Sequence, residues 1–121
     1  MSRILIADDD RQFRTMLRRL LTDSGHQVRE CTDGEYIGAI LAEGGTDLVL
    51  LDMIMERQGG LETLVAIRRS HPQVPVVLVS GADNDTGDDL LKAAECRGAV
   101  GSLRKPFSAT ELLAMIDRIL G

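Results

Sequence analysis

The sequence predicts an α/β protein built on a parallel five-stranded sheet with helices on both faces. Five short strand-like runs alternate with five helical segments along the 121 residues. The runs at residues 48–51 and 74–79 are continuously apolar, which is typical of strands buried on both faces. No linker, repeat or low-complexity segment interrupts the alternation. Such alternation indicates βαβ units, and their right-handed crossovers place helices on both sides of the sheet.

Turn residues or a helix end bound each predicted strand. The strands are residues 4–7, 27–31, 48–51, 74–79 and 99–103. Residues 27–31 are interpreted as a short alternating edge strand. Gly101 weakens the last run, because glycine has no side chain to pack in a sheet.

Helical spacing of apolar residues predicts the helices between and after these strands. The first begins after Asp10, which caps it, and ends at Ser24. The next three are residues 35–43, 61–70 and a segment that includes 90–94. Ser108 caps the last helix, and Glu111 completes a capping box. The four arginines of the first helix are expected on a solvated face: Arg11, Arg14, Arg18 and Arg19.

Composition limits the classes of function. A net charge of -5 and 2% aromatic residues oppose binding to nucleic acid, which favours basic patches and aromatic platforms. No run is long enough for a membrane span or a signal peptide, so we expect a cytoplasmic protein and no membrane contact. Cys31 and Cys96 are expected to be reduced thiols. The length indicates one domain over residues 1–121.

Polar side chains follow four of the predicted strands. Parallel strands bring their carboxyl ends to one edge of the sheet, where ligands bind in open α/β folds. The groups expected at that edge are Asp8, Asp9, Asp52, Ser80 and Lys105. Carboxylates so close repel one another. A hard divalent cation that prefers oxygen ligands would compensate their charge, and Mg²⁺ fits best. Such a site suits phosphoryl chemistry, with Asp52 on the central strand as the nucleophile.

These residues resemble the motifs of receiver domains in two-component response regulators. The matching stretches are Asp8-Asp9 after residues 4–7, Leu51-Asp52-Met53, Val79-Ser80-Gly81 and Lys105-Pro106-Phe107. The resemblance covers essentially the whole chain. It implies a doubly wound sheet of order 2-1-3-4-5 with five helices, the flavodoxin-like receiver fold.

The resemblance also implies roles for the site residues. Asp52 would accept a phosphoryl group from a histidine kinase or a histidine phosphotransfer protein. Mg²⁺ would be held by Asp9 directly, by Asp8 through water, by Asp52, and by the backbone carbonyl of Ile54. Ser80 and Lys105 would grip the phosphoryl oxygens. The domain would assist its own phosphorylation and dephosphorylation without being an enzyme.

The resemblance implies partners as well. The fourth helix, fifth strand and fifth helix would contact an output domain or effector protein, and phosphorylation-dependent homodimers are allowed. Two departures from the family pattern stand out. Gly59 occupies the usual aspartate position before Gly60, and Ser102 occupies the usual position of an aromatic switch residue.

Two other functions stay open. One is a degenerate receiver that binds proteins regardless of phosphate, which Ser102 and Gly59 allow. The other is a hydrolase with an aspartyl-phosphate intermediate. Such phosphatases usually carry a second acid two residues after the nucleophile, where this chain has Ile54.

Overall fold

The computed structural model describes residues 2–32, 36–53, 60–80, 98–105 and 107–121. Within these ranges five strands and four helices follow one another along the chain. They are β1 (Arg3–Ala7), α1 (Arg11–Asp23), β2 (Gln27–Cys31), α2 (Ile37–Ala42), β3 (Leu48–Asp52), α3 (Gly60–Ser70), β4 (Val76–Ser80), β5 (Gly101–Arg104) and α4 (Ala109–Leu120). The helix expected around residues 90–94 lies outside the described residues, so α4 corresponds to the fifth predicted helix.

All five strands join one sheet of order β2-β1-β3-β4-β5, and every pair is parallel. This confirms the predicted topology. Strands β3 and β4 are buried at every residue, as their continuous apolar sequences predicted. Strand β2 lies at the edge and alternates in burial, which confirms the interpretation of its alternating sequence.

Alternate residues of the strands point into two separate hydrophobic cores, because side chains alternate across a sheet. One core holds Val49 and Leu51 of β3 together with residues of α2 and α3. The other holds Leu48 and Leu50 together with residues of α1 and α4. Helices therefore cover both faces, so the sheet is doubly wound. Cys31 is buried in the first core, and Cys96 lies outside the described residues.

Two predicted caps begin the helices that pack on the second core. The Asp10 side chain accepts hydrogen bonds from the backbone N–H groups of Gln12 and Phe13, at 3.0 and 3.3 Å. The Ser108 hydroxyl accepts one from the N–H of Glu111 at 3.0 Å. Each cap satisfies donors that the first helical turn leaves unpaired.

Strands β4 and β5 begin two residues later than predicted. Val74 donates its N–H to the carbonyl of His71, so a turn precedes β4. Pro75 has no N–H to donate, although its carbonyl accepts from Val49 at 3.0 Å.

Among the described helices, none is long and apolar enough to cross a membrane.

Candidate functional site

Asp8 follows β1 directly, and hydrogen bonds hold both its backbone and its carboxylate. Its N–H donates to the carbonyl of Cys31 at 3.0 Å, and its own carbonyl accepts from Arg14 Nη1 at 2.8 Å. One carboxylate oxygen, Oδ1, accepts the backbone N–H of Asp10 at 2.8 Å. Asp8 is only 2% exposed, so this carboxylate is taken almost wholly out of water. A buried carboxylate of this kind requires compensating partners.

Three carboxylates meet at the carboxyl ends of β1 and β3. Asp52 is the last residue of β3 and is buried, whereas Asp9 is exposed. One oxygen each from Asp8, Asp9 and Asp52 lies within 4.8 Å of the other two. Ligand oxygens on one Mg²⁺ lie about 3–4 Å apart, so small side-chain movements would bring these three oxygens onto one ion. Oxygen donors of this charge suit Mg²⁺ better than softer metals.

Helix α3 presses its first residue against the backbone that carries Asp52. The N–H of Gly60 donates to the carbonyl of Met53 at 2.9 Å. A Cβ at Gly60 would lie 2.4 Å from the carbonyl oxygen of Asp52 and 2.5 Å from the Cα of Met53. Only glycine, which has no Cβ, allows the two backbones to come this close. The contact fixes the end of β3 between β4 and α3.

Ser80 ends β4 with a buried hydroxyl. The residue is 3% exposed, and its Oγ has no hydrogen-bond partner within the part of the chain that the structure describes. Its carbonyl is used, because it accepts the N–H of Lys105 at 2.7 Å. An unsatisfied buried hydroxyl costs stability, so this atom is suited to a ligand that supplies the missing partner.

Lys105 comes directly after β5 and reaches across to the acidic cluster. Its Nζ lies 3.1 Å from Asp8 Oδ2 and 3.9 Å from the centroid of the Phe13 ring. The ring of Phe107 meets Phe13 edge to face, with centroids 5.8 Å apart and planes at 84°. The ammonium therefore has a carboxylate on one side and an aromatic face on the other.

The structure thus brings the predicted strand-end groups to the same edge of the sheet. Asp8, Asp9 and Asp52 form one cluster, and Lys105 contacts it through Asp8. Ser80 lies one residue beyond Val79, the partner of Asp52 in the register of β3 and β4. Ile54 lies outside the described residues.

Two residues of this site were missed in the sequence. Arg14 is not on a solvated face: its side chain is 12% exposed, and Nε pairs with Glu30 at 3.3 Å. The signal was its spacing, because Arg14 lies three and seven residues before the buried Leu17 and Leu21 and so shares their side of the helix. Phe13 carried no comparable signal, since its contact with Lys105 joins opposite ends of the chain.

Comparison with known proteins identifies the family. The family model described as "Response regulator receiver domain" matches residues 4–117. The chain belongs to the response regulator receiver domain family. The receiver domain is 36% identical over 117 residues to the "DNA-binding transcriptional regulator NtrC" of Azospirillum brasilense, covering 97% of this chain and 24% of the relative. It is 38% identical over 120 residues to the "Transcriptional regulatory protein CpxR" of Escherichia coli strain K12, covering 99% of this chain and 50% of that relative.

The structural comparison agrees with the sequence comparison. The crystal structure of the receiver domain of NtrX from Brucella abortus superposes with a TM-score of 0.90 at 34% identity, covering 97% of each chain. In the sequence comparison, the chain spans about a quarter of the length of the NtrC relative and about half of the length of CpxR.

Proposed function

We propose that residues 1–121 form one receiver domain in which Asp52 accepts a phosphoryl group, in a Mg²⁺-dependent reaction, from a phosphohistidine of a kinase or phosphotransfer protein. The observation that carries this proposal is the cluster of three carboxylates beside Lys105, together with the Ser80 hydroxyl, which has no hydrogen-bond partner among the described residues. The family membership supports the same function for the domain.

The charges of the site support a divalent cation. Three carboxylates and one ammonium carry two net negative charges, and two of the carboxylates are buried. Asp8, Asp9 and Asp52, with the backbone carbonyl of Ile54, are the groups that would hold Mg²⁺. When bound, the ion would neutralise charge on the phosphoryl oxygens.

The transfer step needs a nucleophile and partners for the phosphoryl oxygens. A carboxylate oxygen of Asp52 would form a bond to phosphorus while the bond from phosphorus to the donor imidazole nitrogen breaks. That nitrogen takes a proton as it leaves, so the donor becomes neutral histidine and Asp52 becomes an acyl phosphate. Ser80 Oγ would donate a hydrogen bond to one phosphoryl oxygen. The ammonium of Lys105 would bind another.

The partners are proposed from the family alone. We expect a sensor histidine kinase or histidine phosphotransfer protein to supply the phosphoryl group. We expect β5, α4 and the helix around residues 90–94 to contact an output domain or effector protein, or a second copy of the chain after phosphorylation. We expect no direct nucleic-acid contact by this domain. The names of NtrC and CpxR point to transcriptional regulation by longer proteins.

Intact-mass measurement tests the phosphoacceptor directly. Wild type and Asp52→Asn are incubated with Mg²⁺ and a small acyl-phosphate donor. We expect one added phosphoryl group on the wild type, none on Asp52→Asn, and none on either protein when a chelator is present from the start. Phosphorylation of both proteins would identify a different acceptor. Modification of neither, together with no binding of beryllofluoride, would favour the phosphate-independent binding module instead.

A further inference from the structure

We propose that Phe13 is a positioning residue that holds the Lys105 ammonium in place for the phosphoryl group at Asp52. The inference rests on the proposed function. It starts from the 3.9 Å distance between Lys105 Nζ and the centre of the Phe13 ring. A cation within about 6 Å of a ring centroid is attracted by the negative face of the aromatic system. The Lys105 side chain is 25% exposed, so the contact is partly shielded from water.

The Phe13 ring is itself held in place. Its backbone N–H is one of the two donors that Asp10 caps at the start of α1. Its ring packs against the edge of Phe107, two residues after Lys105. The chain has only two phenylalanines and one tyrosine, and Tyr36 is 59% exposed. Both phenylalanines are therefore used around this one lysine.

An aromatic face holds an ammonium differently from a carboxylate. The ring attracts the charge without neutralising it, and Lys105 has three N–H donors, of which Asp8 Oδ2 takes one at 3.1 Å. Within the part of the chain that the structure describes, donors therefore remain for phosphoryl oxygens. The other end of the residue is fixed as well, because its backbone N–H donates to the backbone carbonyl of Ser80 at 2.7 Å. A lysine restrained at both ends loses less conformational freedom when it binds the phosphoryl group.

A leucine at this position would keep apolar packing and lose the charged contact. Among the described residues, only Asp8 would then restrain the Lys105 ammonium, which would spend more time in water. We expect Phe13→Leu to bind beryllofluoride, a phosphoryl mimic, about two- to fivefold more weakly in the presence of Mg²⁺. Phe13→Tyr keeps the ring face and is the matched control, with an affinity close to that of the wild type.

The contact can be observed independently of any reaction. The sequence has only two lysines, Lys92 and Lys105, so isotope labelling of lysine gives two sets of side-chain signals. In the metal-free wild type, the ε-methylene protons of Lys105 should be shifted upfield by the Phe13 ring. Lys105→Arg assigns the signal. The upfield shift should disappear in Phe13→Leu and persist in Phe13→Tyr.

Isothermal titration with beryllofluoride and Mg²⁺ then separates the possible outcomes. Weaker binding by Phe13→Leu, with recovery in Phe13→Tyr, supports the positioning role. Equal affinities of wild type and Phe13→Leu would overturn it and leave the phosphoacceptor function intact. Equally weak binding by both variants would also overturn it, since packing and not the ring face would then matter. A wild type that fails to bind would overturn the proposed function together with the inference.

Discussion

Replacement of Gly60 by alanine should destabilise the domain, although the same substitution at a helix position with free space around it usually stabilises a protein. The added Cβ would lie 2.4 Å from the Asp52 carbonyl oxygen, where ordinary contacts begin at 3.4 Å. Backbone atoms must therefore separate by about 1 Å, and overpacking of this kind costs about 1–3 kcal/mol. Gly38 in α2 is the matched control, because a Cβ there meets nothing within 4 Å.

Urea unfolding followed by circular dichroism measures both variants. For Gly60→Ala we expect a midpoint lower by about 0.5–1.5 M, taking a slope of about 2 kcal/mol per molar urea. For Gly38→Ala we expect a gain in unfolding free energy of about 0.5–1 kcal/mol, since alanine restricts the unfolded chain and favours helix. A Gly60→Ala midpoint at or above that of the wild type would show that α3 does not press on the backbone of Asp52 as described.

The same substitution should slow phosphorylation at Asp52. The clash falls on the carbonyl of Asp52 and on Met53, so relief of the clash displaces the nucleophile. A displacement of about 1 Å can cost about a hundredfold in rate. The initial rate with a small acyl-phosphate donor is measured in mild conditions where Gly60→Ala remains folded. An unchanged rate would show that the substitution lowers stability without displacing Asp52.

Three further substitutions test the charges of the site and the Ser80 hydroxyl, for which the described residues supply no partner. Lys105→Met should lower the stability of the metal-free protein by about 1–3 kcal/mol, because buried Asp8 loses its cation, and Mg²⁺ should restore much of that loss in thermal unfolding. Ser80→Ala should raise the stability of the metal-free protein by about 1 kcal/mol, yet weaken beryllofluoride binding in titration calorimetry. Asp9→Asn should relieve repulsion in the metal-free protein and reduce the increase in melting temperature that Mg²⁺ produces.

Each of the three has an outcome that contradicts its basis. If metal-free Lys105→Met were as stable as the wild type, a group other than Lys105 would have to compensate the charge of Asp8. A less stable Ser80→Ala would mean that Oγ has a partner in the metal-free protein. An unchanged response of Asp9→Asn to Mg²⁺ would exclude its carboxylate as a metal ligand.

The sequence predicted the sheet well because burial controls strand composition. The continuous apolar run before Asp52 requires helices on both faces, and β3 is buried at all five residues. The alternating run of β2 identified an edge strand. The strand order came from the family resemblance, because periodicity determines which residues are buried and not which strands are neighbours.

The contacts of the site were harder to predict than its members. Topology alone places Asp8, Asp52 and Lys105 at one sheet edge, since parallel strands share their carboxyl ends. It does not give the rotamer of Lys105, which depends on the ring of Phe13 from a different part of the chain. Arg14 was misassigned because arginine is usually exposed, whereas its guanidinium here holds the carbonyl of Asp8.

Backbone hydrogen bonds continue past the ends of the strands into the site. Three backbone N–H groups of the site donate to backbone carbonyls: that of Asp8 to Cys31, that of Met53 to Val79, and that of Lys105 to Ser80. At these three residues the backbone is thus paired as in the sheet, while the side chains retain clustered negative charge and a hydroxyl with no partner among the described residues. Both side-chain features oppose folding in the absence of ligands. A bound cation and a phosphoryl group would relieve both, so we expect phosphorylation of the proposed site to stabilise the whole domain, with little rearrangement of the strand ends.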